Sequence, residues 1–232
     1  RENIVLCGVS LAQEVFRQLD SQCEFHLTNK DGHQVDEGGN IMSINASTRA
    51  LLTGERTALN FLQKLSGIAT VAALYANEVK DSGTLILDTR KTTPGWRPME
   101  KYAVQCGGAR NHRQGLDDLI MIKDNHLASM DGSNRIAKAI DMARTFAPEL
   151  KVEVEVDTVI QAKQAADAGA DIILLDNMTP SELREAISVV DNRSQTEASG
   201  GIKLENVREV ADTGVNYISV GAITHSAPAV DI

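Results

Sequence analysis

From residue 85 to residue 220 the chain alternates short apolar runs with helical patterns. That rhythm constrains its fold more than any other feature. Residues 85–87, 119–122, 152–156, 172–175, 197–198 and 217–220 read as strands. Helical patterns fill the gaps at 134–146, 159–168 and 204–211. Another opens with the capping box Thr179-Pro180-Ser181-Glu182. Strand, crossover and strand at this spacing predict right-handed parallel βαβ units. Six strands are clear, with room for a seventh near 102–108. The expected class is α/β: an incomplete, about seven-stranded TIM-like β/α barrel.

The first 57 residues have another texture. A strand at 3–7 precedes a helix at 10–19, with Ser10 as N-cap and Leu11, Val15, Phe16 and Leu19 on one face. Residues 23–28 alternate apolar and polar, Asp31-Gly32 is a hairpin turn signal, and Glu37-Gly38-Gly39-Asn40 precedes a strand at 41–45. These elements predict a smaller N-terminal α/β lobe over 1–57, followed by the barrel domain over 58–232. A long helical pattern runs from 55 to 79, and Gly67 within it marks a kink or a close helix contact.

At 232 residues the chain can bury a full core. No apolar run approaches the roughly 20 residues of a membrane helix, and no secretory signal opens the sequence. Cys7, Cys23 and Cys106 are odd in number and form no CxxC pair. The expectation is a reduced, cytoplasmic protein, with neither disulfides nor zinc implied. A net charge of −9 and 3% aromatic residues argue against nucleic-acid binding. The chain opens inside a strand and stops at Asp231-Ile232, so both ends look trimmed or disordered.

Against that acidic background, residues 88–126 hold seven Lys/Arg and five Asp/Glu. The cations Arg90, Lys91, Arg113 and Lys123, with His112, fall where predicted strands stop, the usual place for an active site in a parallel α/β protein. Arginine grips a planar carboxylate with two hydrogen bonds, and lysine adds a point charge. The set suits a small, multiply negative ligand; the competing reading is a surface salt-bridge network. Glu153 and Glu155 share one face of VEVEV. With Asp176 they suit a hydrated Mg²⁺ or ribose hydroxyls, or else simply pair with the cations. The small-residue loops at 197–201 and 219–222 allow backbone N–H groups to approach a phosphate. Gly107-Gly108-Ala109 is not a P-loop, because no Gly-Lys-Ser/Thr follows. No Ser-His-Asp or Cys-His arrangement stands out.

Together LLTGERTALNFLQKLSGIAT, DTRKTTPGWRPMEKYAVQCGGARNHR, IKDNH, VEVEVD, DIILLDNM, EASGGI and GVNYISVGAITHS resemble the quinolinate phosphoribosyltransferase family over nearly the whole chain. Ala109 stands where the family often has a third glycine. The resemblance implies an N-terminal α/β sandwich and an incomplete seven-stranded barrel in a homodimer or a hexamer of dimers. It implies transfer of the phosphoribosyl group of phosphoribosyl pyrophosphate to quinolinate. Decarboxylation then gives nicotinate mononucleotide, pyrophosphate and CO2 in NAD biosynthesis. Carried over by position, Arg56 reaches the neighbouring subunit's site. Arg90, His112, Arg113 and Lys123 grip quinolinate, with Thr89 and Lys91 beside them. Glu155 and Asp176 serve the ribose and Mg²⁺ end, and Ser199, Gly200, Gly201, Val220, Gly221 and Ala222 surround the phosphate. Lys91, Lys123, Glu155 and Asp176 are the implied catalytic residues. Two competitors remain: a relative using another pyridine, and a non-catalytic barrel that binds sugar phosphates.

Overall fold

The structure, a computed structural model, describes residues 2–232. In chain order its elements are β1 (Ile4–Val5), α1 (Val9–Leu19), β2 (Glu24–Leu27), β3 (Gln34–Val35), β4 (Met42–Asn45), α2 (Thr48–Val79), β5 (Leu85–Leu87) and α3 (Arg97–Cys106). There follow β6 (Ile120–Ile122), α4 (Asp124–Ala128), α5 (Arg135–Phe146), β7 (Val152–Val156), α6 (Val159–Asp167), β8 (Ile172–Asp176), α7 (Pro180–Val190), β9 (Gln195–Ser199), α8 (Val207–Ala211), β10 (Tyr217–Ser219) and α9 (Ala222–His225). They group into two compact units. One comprises Arg1–Ala76, Lys91–Asn111 and Gly221–Ile232; the other comprises Asn77–Arg90 and His112–Val220.

The second unit is built on a six-stranded parallel sheet in the order β5-β10-β9-β8-β7-β6. Its register sorts the side chains by chemistry. Glu155 aligns with Leu174 and Leu174 with Glu197, while Asp176 aligns with Ser199. Because side chains alternate along a strand, Glu153, Glu155, Asp176, Glu197 and Ser199 share one face. Val152, Val154, Val156, Ile173, Leu175, Ala198 and Ile218 occupy the other, all buried. Helices α6 and α7 bring small and branched residues to the core: Ala162, Ala165 and Ala166, then Leu183, Ala186 and Val190. Both helices start at capping boxes, where Thr158 and Thr179 accept from the N–H groups of Gln161 and Glu182. The carboxylates lie on one face, among apolar residues such as Leu174, and so project in a single direction.

The first unit holds two small antiparallel sheets, β1 with β3 and β2 with β4. Its core gathers Ile4, Leu6, Val9, Ala12, Phe16 and Val35 against Ala58 and Leu62 of α2. At Gly67, read as a kink or a close helix contact, α2 continues as helix, and a Cβ there would overlap the carbonyl oxygen of Pro228 in the segment after α9. Among the described residues no helix is long and apolar enough to cross a membrane.

Four expectations require correction, the first being Ser10, which lies inside α1 behind an N-cap at Gly8. Residues 102–106, read as the start of a seventh strand, are the end of helix α3, so the described residues give six strands in this sheet. The buried positions of α3 include Glu100 and Lys101, whose charges interrupt the apolar stripe that marks a helix. Asp31-Gly32 is a turn but not a two-strand hairpin, because β3 pairs back to β1 and β2 pairs with β4. Helix α2 begins at Thr48, seven residues early, with the Ala50 N–H donating to Ser47 Oγ at 3.4 Å. Residue 57, the expected end of the smaller lobe, lies within this helix.

Candidate active site

The carboxyl ends of the parallel strands carry the polar groups the sequence singled out. Asp88, Thr89 and Arg90 follow β5, and Lys123 follows β6. Glu155 lies near the end of β7, Asp176 ends β8, Ser199 ends β9 before Gly200 and Gly201, and Val220 follows β10.

His112 is the most constrained group among them. Its backbone N–H donates to Asp88 Oδ1 at 2.8 Å, and its Nδ1 accepts the Arg113 N–H at 2.7 Å. An accepting Nδ1 leaves the proton of a neutral ring on Nε2. That Nε2 lies 3.2 Å from Glu153 Oε2 and 3.5 Å from Glu197 Oε2. The two carboxylates are 0% and 1% exposed. Burial, with Glu153 alongside, pushes the Glu197 carboxyl up to about 7, while His112 opposes the rise.

Fixing His112 fixes Arg113. The Arg113 guanidinium donates to Leu119 O at 3.2 Å and to Met121 Sδ at 3.5 Å. Burial and then the neighbouring charge of Arg90 pull Arg113 below its ordinary value, while Glu153 and Asp118 oppose the shift. Two guanidinium groups close enough to repel, one of them partly buried, make a ready receptor for an anion. Asp118 turns the following loop back by accepting from the N–H groups of Gln114 and Gly115.

Lys123 pairs with Glu155 on the adjacent strand. Asp176 accepts from the side-chain amide of Asn177 at 2.6 Å. The Asn177 N–H donates to Ser199 O at 2.8 Å, tying the ends of β8 and β9 together. Gly200 follows with φ +90°, and a Cβ there would collide with Asn177. Only glycine satisfies both demands, which lets Asn177 pack against this turn.

The other unit carries the remaining predicted residues. Arg56 is exposed on α2. Lys91 and Gly221 meet: the Thr224 hydroxyl donates to Lys91 O at 2.8 Å, and a Cβ at Gly221 would touch Lys91 Cδ at 3.2 Å. Ala222 follows as the first residue of α9.

Sequence reasoning missed two members of this arrangement. Asp88 and Glu197 were seen only as parts of polar loop ends, and Glu153 only as a companion of Glu155. For Glu153 the available signal was a carboxylate inside the apolar strand VEVEV, since a buried charge needs a partner; Glu197 in TEAS and Asp88 just after β5 carry no such contrast.

Two family models match all of the chain but residue 67: "Quinolinate phosphoribosyl transferase, N-terminal domain" over residues 1–66 and "Quinolinate phosphoribosyl transferase, C-terminal domain" over residues 68–232. A protein of Bacillus subtilis (strain 168), named as a probable nicotinate-nucleotide pyrophosphorylase [carboxylating], is 44% identical over 98% of this chain and 78% of its own length. The nicotinate-nucleotide pyrophosphorylase [carboxylating] of Mycobacterium leprae is 41% identical over 100% of this chain and 82% of its own length. The crystal structure of NadC from Streptococcus pyogenes superposes with a TM-score of 0.95 at 44% identity, covering 100% of this chain and 81% of that one. The polar sheet face, the clamped His112-Arg113 pair and these similarities lead to one assignment: the chain belongs to the quinolinate phosphoribosyl transferase family.

Proposed function

We propose that this chain transfers the phosphoribosyl group of phosphoribosyl pyrophosphate to quinolinate and releases CO2. The products are nicotinate mononucleotide and pyrophosphate, in NAD biosynthesis. The observation that carries the reading is the charged pair of Arg90, just after β5, and Arg113, held by its immobilised neighbour His112. Family membership over the full chain supports it.

In this reading Arg90, Arg113 and Lys123, with His112 and Thr89, hold the two carboxylates of quinolinate. The ring nitrogen is thereby aimed at the anomeric carbon of the sugar. The bond from that carbon to pyrophosphate breaks as the carbon–nitrogen bond forms, with oxocarbenium character on the ribose. The quaternised nitrogen then stabilises the electron pair left on the adjacent ring carbon as CO2 departs, and that carbon takes a proton from water. No nucleophilic side chain is required. Ser199, Gly200, Gly201 and Val220 offer backbone groups to the phosphate. The parts assigned to Lys91, Gly221 and Ala222, and to Arg56 in a neighbouring subunit, rest on the family resemblance.

Glu155 and Asp176 form an oxygen-only donor set, which fits a hard cation such as Mg²⁺. When bound, Mg²⁺ would offset charge on the departing pyrophosphate. Lys123 holds the Glu155 carboxylate in place.

The proposal extends to the architecture: the sheet curls into an incomplete β/α barrel around its polar face, in a cytoplasmic homo-oligomer. His112 contacts Asp88 after β5, Glu153 on β7 and Glu197 on β9. In a flat sheet β5 and β7, four spacings apart in this order, would be about 19 Å from each other. That one histidine reaches both supports a strongly curved sheet.

The test is release of labelled CO2 from quinolinate labelled in its 2-carboxylate. Release that requires phosphoribosyl pyrophosphate supports the proposal. Binding of the sugar phosphate with no CO2 release would instead support the non-catalytic barrel.

A further inference from the structure

A second chemical cluster lies in the unit that holds the two small sheets. Cys7, Asp31 and Cys106 place one sulfur, one carboxylate oxygen and one sulfur within 4.8 Å of one another. They are 24 and 75 residues apart along the chain, so only the fold brings them together. We propose that these three side chains bind a thiophilic divalent cation of the zinc class.

Each ligand sits on a separately pinned piece of backbone. The Cys7 N–H donates to Ser66 Oγ at 2.9 Å, and the Ser66 hydroxyl donates back to Cys7 O at 3.2 Å. Asp31 Oδ1 accepts the Val9 N–H at 3.0 Å, and its Oδ2 accepts the Tyr102 hydroxyl at 3.0 Å. The next residue, Gly32, donates its N–H to Leu6 O at 2.8 Å. Cys106 ends α3, and Gly107 after it lies so close to α2 that a Cβ would overlap Ala69 O and Ala72 Cβ. Partners of this kind hold a ligand set in place before a metal arrives.

The donor set names the metal class. Two sulfurs and one oxygen favour zinc-like cations over Mg²⁺ or Ca²⁺, which take oxygen ligands. Tetrahedral zinc with bonds of about 2.3 Å to sulfur spaces two thiolates by roughly 3.8 Å, inside the observed limit. Cys7 is fully buried, while Asp31 and Cys106 are half-buried. A cation enters from their side, and water completes the fourth position there. Binding displaces one proton from each thiol to solvent and involves no electron transfer. The third cysteine, Cys23, is outside the cluster and serves as a control.

The experiment uses the reduced full chain, stripped with chelator and titrated with Cd²⁺, whose thiolate complexes absorb in the near ultraviolet. The expected result is a band saturating at one equivalent, displaced by Zn²⁺, kept in Cys23→Ser and lost in Cys106→Ser. Asp31→Asn should weaken binding by at least about tenfold. Cys106 is half-buried, and metal-free Cys106→Ser should melt at the wild-type temperature. Zn²⁺ should then raise the wild-type melting temperature alone. No saturable band, a band that survives in Cys106→Ser, or a band lost in Cys23→Ser would overturn the proposal.

Discussion

The Nε2 of His112 lies 3.2 Å from Oε2 of Glu153, a carboxylate with no exposure to solvent. A buried carboxylate persists only where something compensates it. Here the compensation also has a geometric result. The same imidazole accepts the Arg113 N–H, so the histidine facing a charge inside the sheet also fixes the backbone that carries the Arg113 guanidinium. Glu197, on β9, approaches the same nitrogen and leaves two acids facing one histidine.

That crowding predicts a pH effect on stability. The Glu197 carboxyl is raised from 4.5 to about 7 by burial and by Glu153, so between those values the folded chain binds more protons than the unfolded chain. The stability this group contributes is fully present below about pH 4.5 and is lost as pH rises through about 7. Urea unfolding at about pH 5 and about pH 8 should show the wild type losing more stability on going up than Glu197→Gln does. Equal losses would contradict the buried acid pair.

Gly67 has a packing reason. Its Cβ-less face lets α2 touch the chain at Pro228. Gly67→Ala should lower unfolding free energy by about 1–3 kcal/mol, as overpacking does, although alanine is the better helix former. Urea titration checks this, and an unchanged or raised midpoint would count against the close approach.

Arg56 lies exposed on α2, away from the strand-end groups in sequence. If it completes a neighbouring subunit's site, Arg56→Ala and Lys123→Ala chains, each inactive alone, should regain activity when mixed. Hybrid oligomers would contain sites with both residues intact. Mass-detected subunit exchange with no recovered turnover would remove the shared site.

The strands were legible where apolar residues run unbroken, as in Leu85–Leu87 and over residues 172–175. Helix α7 was legible from its capping box alone. Helix α3 was hidden because two of its inward residues, Glu100 and Lys101, are charged. The pairing of β3 with β1 was hidden for another reason: Val35 meets Ile4 across a long stretch of chain, and no local pattern records a partner. The same limit applies to the site. Arg113 and Lys123 stand beside recognisable strands, whereas Asp88 matters because a backbone N–H 24 residues later finds it. Cys7 and Cys106 carry no shared spacing signal, and their meeting follows from α3 seating against α2.

The central claim is that the guanidinium pair reads two carboxylates on one ring. Titration calorimetry of quinolinate against nicotinate, which has a single carboxylate, tests it directly. The wild type should bind quinolinate at least about tenfold more tightly, the scale of one lost charge-assisted hydrogen-bonding group. In Arg113→Ala the ratio should fall towards one. An unchanged ratio in that variant, or no preference in the wild type, would contradict the assignment of Arg90 and Arg113 to the substrate's carboxylates.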